Sequence, residues 1–265
     1  MHYNNIMYSF DISILGSGWL GLPLIRHFTS RHLKVAGSTR QLSRFPQIEA
    51  VGGIAFLIDI DKQNHWAAFF QAETMFINIT SKNLQGFQNL VKQIADSPVK
   101  NVLLVSSSSV YQNLQRVVSE DEAAENPGSA LFQIEQLFQR QRSFKTTVLR
   151  CSGLIDARRH PGNFFRHGRQ VQQPDAPVNL IHLDDVIGII DAIIRQQAWG
   201  QVFNASADTH PSKRQFYSYA RQLLSQPAPD FADGDSSAYK IVSNDKVKQQ
   251  LGYQFRHADL MQIQL

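Results

Sequence analysis

Gly16-Ser17-Gly18-Trp19-Leu20-Gly21 follows the apolar run Ile12-Ser13-Ile14-Leu15 and opens a helix-like segment reaching about Ser30. Glycines at this spacing between a strand and a helix suit a diphosphate. Gly16 permits a tight bend, Gly18 lets main chain approach a pyrophosphate with no Cβ in the way, and Gly21 lets the helix pack close on the strand. Amides at the helix start face the phosphate charge, so Gly16, Ser17, Gly18, Trp19, Leu20 and Gly21 are the expected cofactor-binding residues. The second strand ends at Gly37-Ser38-Thr39-Arg40. No carboxylate stands there to accept from a ribose 2′-hydroxyl. Arg40, with Ser38 and Thr39 beside it, suits a 2′-phosphate through charge-assisted hydrogen bonds, so the expected cofactor is NADP, with NAD as the alternative. Asp59, closing the third strand, has two readings: an acceptor for the adenine amino group, or a helix cap.

Three further groups carry chemistry. Ser107 and Tyr111, in Ser106-Ser107-Ser108-Ser109-Val110-Tyr111, follow the carboxyl end of a central strand, where open α/β sheets bind ligands. They are the candidate catalytic pair, facing a nicotinamide or a substrate carbonyl. In the alternative, the serines satisfy backbone groups of the turn and Tyr111 packs. Arg158, Arg159, Arg166 and Arg169 crowd a short stretch with His160 and His167. Arginine forks hold a diphosphate bidentately, and His160 titrates near neutral pH; the other reading is a solvated basic loop. His182, counted with the substrate-binding residues, stands three before Asp185 at a helix entrance, where a backbone-bonded histidine and a capping aspartate compete with catalysis. No His, Asp or Glu set has metal-ligand spacing.

These residues need a scaffold. Apolar runs at Phe10, Lys34–Gly37, Gly53–Ile58, Met75–Ile79, Asn101–Val105 and Thr146–Leu149 alternate with helix-like segments such as Gln85–Ala95 and Ala130–Gln141. Asn101–Val105 is nearly continuous in Val and Leu, as a parallel strand covered on both faces requires. The expected fold is α/β, a Rossmann-type doubly wound parallel sheet with a small C-terminal substrate lobe. The expected boundaries are an N-terminal extension over residues 1–9, a dinucleotide-binding domain over 10–152 to which 182–205 returns, and a smaller lobe from 153–181 and 206–265. Val186–Arg195 reads as a helix capped by Asp184 or Asp185.

The 265 residues, 43% hydrophobic and 18% charged, suffice for a sizeable core. A net charge of +4 is mild. The basic residues are scattered, and no aromatic RNA-binding box, zinc-finger spacing or basic helix favours nucleic acid as a partner. The single cysteine, Cys151, excludes an internal disulfide and fits a reducing compartment. No apolar run approaches a membrane span and no export signal opens the chain, so a cytoplasmic protein with a small anionic substrate is expected.

In order and spacing the motifs resemble the extended short-chain dehydrogenase/reductase superfamily, in its nucleoside-diphosphate-sugar epimerase and dehydratase branch. The likeness rests on Gly16–Gly21, Ser106–Tyr111, Arg150-Cys151-Ser152-Gly153-Leu154-Ile155, Ile181-His182-Leu183-Asp184-Asp185-Val186, and a closing stretch that ends in Leu251-Gly252. The resemblance implies that Ser107 orients the substrate oxygen. It also implies a tyrosine followed four residues later by lysine, whose charge lowers the phenol pKa. None of the chain's tyrosines has that partner, and Pro127–Glu135 contains neither residue type. The chain is therefore similar to atypical members that lack the usual pair. Tyr111 is the best remaining acid. The expected function is an NADP-dependent, epimerase-like oxidoreductase acting on a nucleotide-linked or phosphorylated sugar. The alternative is a non-catalytic NADP(H)-binding redox sensor.

Overall fold

A computed structural model of the chain describes residues 10–62, 65–166, 168–234 and 237–265. The extension expected over residues 1–9 and His167 lie outside the described residues. In chain order the first elements are β1 (Phe10–Leu15), α1 (Gly21–Thr29), β2 (Val35–Thr39), α2 (Phe45–Glu49), β3 (Ile54–Leu57), β4 (Ala72–Ile77), α3 (Leu84–Ala95) and β5 (Asn101–Ser107). Then come β6 (Val117–Val118), α4 (Ala130–Gln139), β7 (Lys145–Cys151), β8 (Gly153–Ile155), β9 (Leu180–His182), α5 (Leu183–Arg195), β10 (Val202–Ala205), α6 (Lys213–Gln222), β11 (Ile241–Val242) and α7 (Asp245–Leu251).

Strands β10, β7, β5, β4, β1, β2 and β3 lie in that order in one seven-stranded parallel sheet. This is the Rossmann-type α/β fold that the alternation of runs predicts. In β1 and β5 nearly every side chain is buried, which explains their unbroken apolar character. The order reverses beside β1, whose neighbours are β2 and β4. The crevice outside the carboxyl ends at such a reversal is where open sheets take ligands.

The chain divides into two compact units. The first holds the described residues up to Ser106 with Pro127–Val148 and Trp199–Gln201. Its core is aromatic: Phe28 lies 5.6 Å from Phe76, and Phe56 contacts Phe10 and Phe69 edge-on. The second unit holds Ser107–Asn126, Leu149–Ala198 and Val202–Leu265. There β8 pairs with β9 and β6 with β11, and Ile155, Val178, Leu180, Phe216, Leu260 and Ile263 form a buried cluster.

Helix starts follow local chemistry. Asn83, Ser129 and Ser212 accept main-chain N–H groups at the starts of α3, α4 and α6, which satisfies donors that have no partner within the helix. For α5 the cap is His182, not Asp184 or Asp185. Its Nδ1 accepts from the Asp184 amide at 3.1 Å, so the helix starts at Leu183 and both aspartates fall in its first turn. Among the described residues no helix is long and apolar enough to cross a membrane.

Candidate functional site

Helix α1 starts differently. It opens on Leu20, with no side-chain cap and no acidic residue in the first turn. The amides of Gly18, Leu20 and Gly21 have no acceptor among the described residues. The turn before it is built by close approach. Gly16 has φ +99°, and a Cβ there would sit 2.3 Å from the Asn78 carbonyl oxygen. A Cβ on Gly21 would sit 2.1 Å from the Gly16 oxygen. Gly18 is the opposite case: a Cβ there would meet nothing within 4 Å. The Ser17 hydroxyl is buried without a partner, while the Ser17 amide donates to the Ser38 carbonyl at 2.8 Å. Uncapped amides beside open space fit a diphosphate, and the buried Ser17 hydroxyl, set against Gly37, is left without an acceptor.

At the end of β2 the three predicted residues separate. Ser38 Oγ accepts from the Gly16 amide at 2.9 Å, and Thr39 Oγ1 accepts from Gln41. Both oxygens brace the turn. Arg40 is exposed. A second arginine joins it: Arg44 donates through Nη2 to the Ser17 carbonyl at 3.2 Å and through Nε to Gln47. In the sequence only its spacing of four from Arg40 hints at this. Asp59 Oδ1 accepts from the Asp61 amide, which closes a turn; among the described residues no helix starts there for it to cap.

In the second unit Ser107, partly exposed, accepts through Oγ from the Ser109 amide at 3.1 Å. Tyr111 is 3% exposed. Its hydroxyl donates to Asn204 Oδ1 at 2.9 Å and accepts from Arg150 Nη1 at 2.8 Å. Burial pushes its phenol up to about 12, against the opposing pull of Arg150. The guanidinium pulls the phenol down, as a neighbouring cation does, but burial outweighs it, and the same nitrogen is also paired with Glu125 Oε1 at 2.5 Å. Glu120, pushed above the usual carboxylate range by burial, accepts from the Asn204 amide. Tyr111 is thus the centre of a satisfied interior network.

The basic stretch also divides. Arg158 faces Asp156 at 3.6 Å, and Arg159 lies over the Phe164 ring with its amide bonded to Asp156. His160 is buried, its Nδ1 accepting from the Gly162 amide at 3.1 Å, and burial lowers its pKa. Arg166 and Arg169 instead line a cavity of about 420 Å³, joined there by Arg221 from the end of α6. Nothing in the sequence tied Arg221 to that stretch.

His182, 7% exposed, stacks on His257 with ring centres 3.8 Å apart. Asp184 lies 3.7 Å from both rings. Burial, and next the nearby His257, lower the pKa of His182. Two imidazoles on one zinc ion, with Zn–N of about 2.0–2.1 Å, put their ring centres roughly 5 Å apart, so this is a face contact and not a pair of ligands. Beside it Asp185, fully buried, accepts from Tyr253 Oη and from the Arg256 and His257 amides.

No family model matches the chain. Protein YeeZ of Escherichia coli strain K12 is 28% identical, with 94% of this chain and 96% of that protein covered. MoeE5, solved with UDP-glucose and NAD, superposes with a TM-score of 0.78 at 17% identity, covering 94% of this chain and 95% of that one. A putative NAD-dependent epimerase/dehydratase from Methylobacillus flagellatus gives 0.78 at 22% identity, covering 95% of each chain. The strand order, the glycine turn after β1 and these superpositions together establish that the chain has the Rossmann-type α/β fold of these solved structures.

Proposed function

We propose that the chain binds a nicotinamide dinucleotide, NADP in preference to NAD, at the turn after β1. With it the chain works as an epimerase-like oxidoreductase on a nucleotide-linked or phosphorylated sugar. The carrying observation is the turn: uncapped amides and open space at Gly18. Support comes from the NAD and UDP-glucose bound to MoeE5, a chain of the same fold.

Gly18, Leu20 and Gly21 present main-chain N–H groups to the diphosphate. Trp19 belongs to the same turn. Arg40 and Arg44 hold the 2′-phosphate with charge-assisted bonds. The coenzyme supplies hydride transfer when bound. Ser107 orients the substrate oxygen, and Tyr111 acts through position, fixing the segment that carries Ser107. His160 offers a neutral imidazole, its Nδ1 committed to Gly162. Binding titrations with NADPH and NADH test the coenzyme. The wild type prefers NADPH, and Arg40→Ala with Arg44→Ala brings the two affinities together; equal affinities in the wild type contradict the NADP assignment.

The second reading, a non-catalytic NADP(H) sensor, is favoured by the sealed phenol of Tyr111. Assays of NADPH oxidation over UDP-sugars and simple carbonyls separate the two. Turnover that Ser107→Ala lowers at unchanged NADPH affinity supports the enzyme, and a tightly held coenzyme with no turnover supports the sensor.

A further inference from the structure

Several arginines of the second unit have a carboxylate within reach: Arg116 faces Glu122, Arg150 faces Glu125, Arg158 faces Asp156, Arg195 faces Asp191 and Arg214 faces Asp175. Arg166, Arg169 and Arg221 have none within ion-pair distance among the described residues, and these three line one cavity. Each is held by something other than an anion. Arg166 donates to Asn163 Oδ1, and Arg169 lies 5.7 Å from the centre of the Phe165 ring. Arg221 donates through Nε to the Pro227 carbonyl at 2.8 Å and through Nη1 to the Gly162 carbonyl at 3.5 Å. Guanidinium groups already fixed by neutral acceptors lose little freedom on taking a ligand, and their unneutralised charge favours an anion. Asp230 lines the same cavity and offers an acceptor for hydroxyl groups.

We infer that this cavity holds the phosphoryl group of a phosphorylated polyol, with Arg169 and Arg221 on the phosphoryl oxygens and Asp230 on the sugar hydroxyls. The inference rests on the reading of an anionic sugar substrate given above and names the group by which that substrate is held. Volume and charge agree with it: about 420 Å³ is within the range of small-molecule sites, and three guanidinium groups against the single carboxylate of Asp230, which is ion-paired to none of them, leave an excess positive charge that an anionic ligand neutralises.

Titration calorimetry of the whole chain with inorganic phosphate, glucose 1-phosphate and UDP-glucose tests the site. The expected result is binding that weakens with salt, with inorganic phosphate competing against the sugar ligand. Arg169→Gln, a position whose side chain makes only the Phe165 ring contact among the described residues, weakens binding about tenfold, and Arg169→Gln with Arg221→Gln about a hundredfold, while NADPH affinity stays unchanged. Tighter binding of UDP-glucose than of glucose 1-phosphate assigns the group to a diphosphate, and the reverse order to a monoester. No heat with any of the three up to about 10 mM, a concentration matching an affinity weaker than about 3 kcal/mol, overturns the inference. Unaltered affinity in Arg169→Gln overturns it equally, whatever Arg221→Gln does to folding. Loss of NADPH binding with phosphoryl binding intact would remove the coenzyme reading and leave this site standing.

Discussion

Arg150 is 2% exposed and remains acceptable in the interior because Glu125 and the Tyr111 hydroxyl both face it. A buried charge is tolerated when paired and becomes expensive when one partner goes. Tyr111→Phe removes one neutral acceptor and leaves the ion pair, so it should cost about 1–2 kcal/mol. Glu125→Gln leaves the guanidinium without its counter-ion and should cost roughly 3–5 kcal/mol. Urea denaturation of both variants checks the order; a Glu125→Gln variant no less stable than Tyr111→Phe contradicts it. The Ser-Val-Tyr segment was legible in the sequence. The location of its tyrosine was not, because the partners that seal it, Arg150 and Asn204, come from distant strands.

The clasp between α5 and the C-terminal segment is made by side chains that no periodicity reveals. Asp185 accepts three donors from Tyr253, Arg256 and His257, and His182 caps the helix through a nitrogen that must be unprotonated. His182 titrates below its ordinary 6.5 in the folded chain, chiefly through burial and next through His257. The unfolded chain then binds the proton more readily, so the stability from this group is present above about pH 6.5 and is lost as pH falls through the folded value. Thermal unfolding should show Tm falling from pH 7.5 to 5. His182→Asn keeps a capping acceptor without a titrating group and should flatten part of that slope; an identical slope in the variant would contradict the assignment. The sequence marked His182 and Asp185 as a helix entrance but misplaced the cap by two or three residues. A histidine is seldom first choice as a cap.

At the scale of the whole chain, the doubly wound sheet and the glycine turn were readable, because strand–turn–helix spacing is local and each glycine answers a steric demand that the structure makes explicit at Gly16 and Gly21. Arg44, Arg221 and His257 were not, since each meets its neighbours only through folding. The single measurement that bears most directly on the account is the NADPH affinity of Gly18→Ala beside the wild type. A methyl at Gly18 meets no protein atom within 4 Å, so Tm should stay unchanged while the dissociation constant rises about tenfold or more, equivalent to about 1.4 kcal/mol. A variant that binds NADPH as tightly as the wild type, or a wild type that binds neither NADPH nor NADH, would contradict the account.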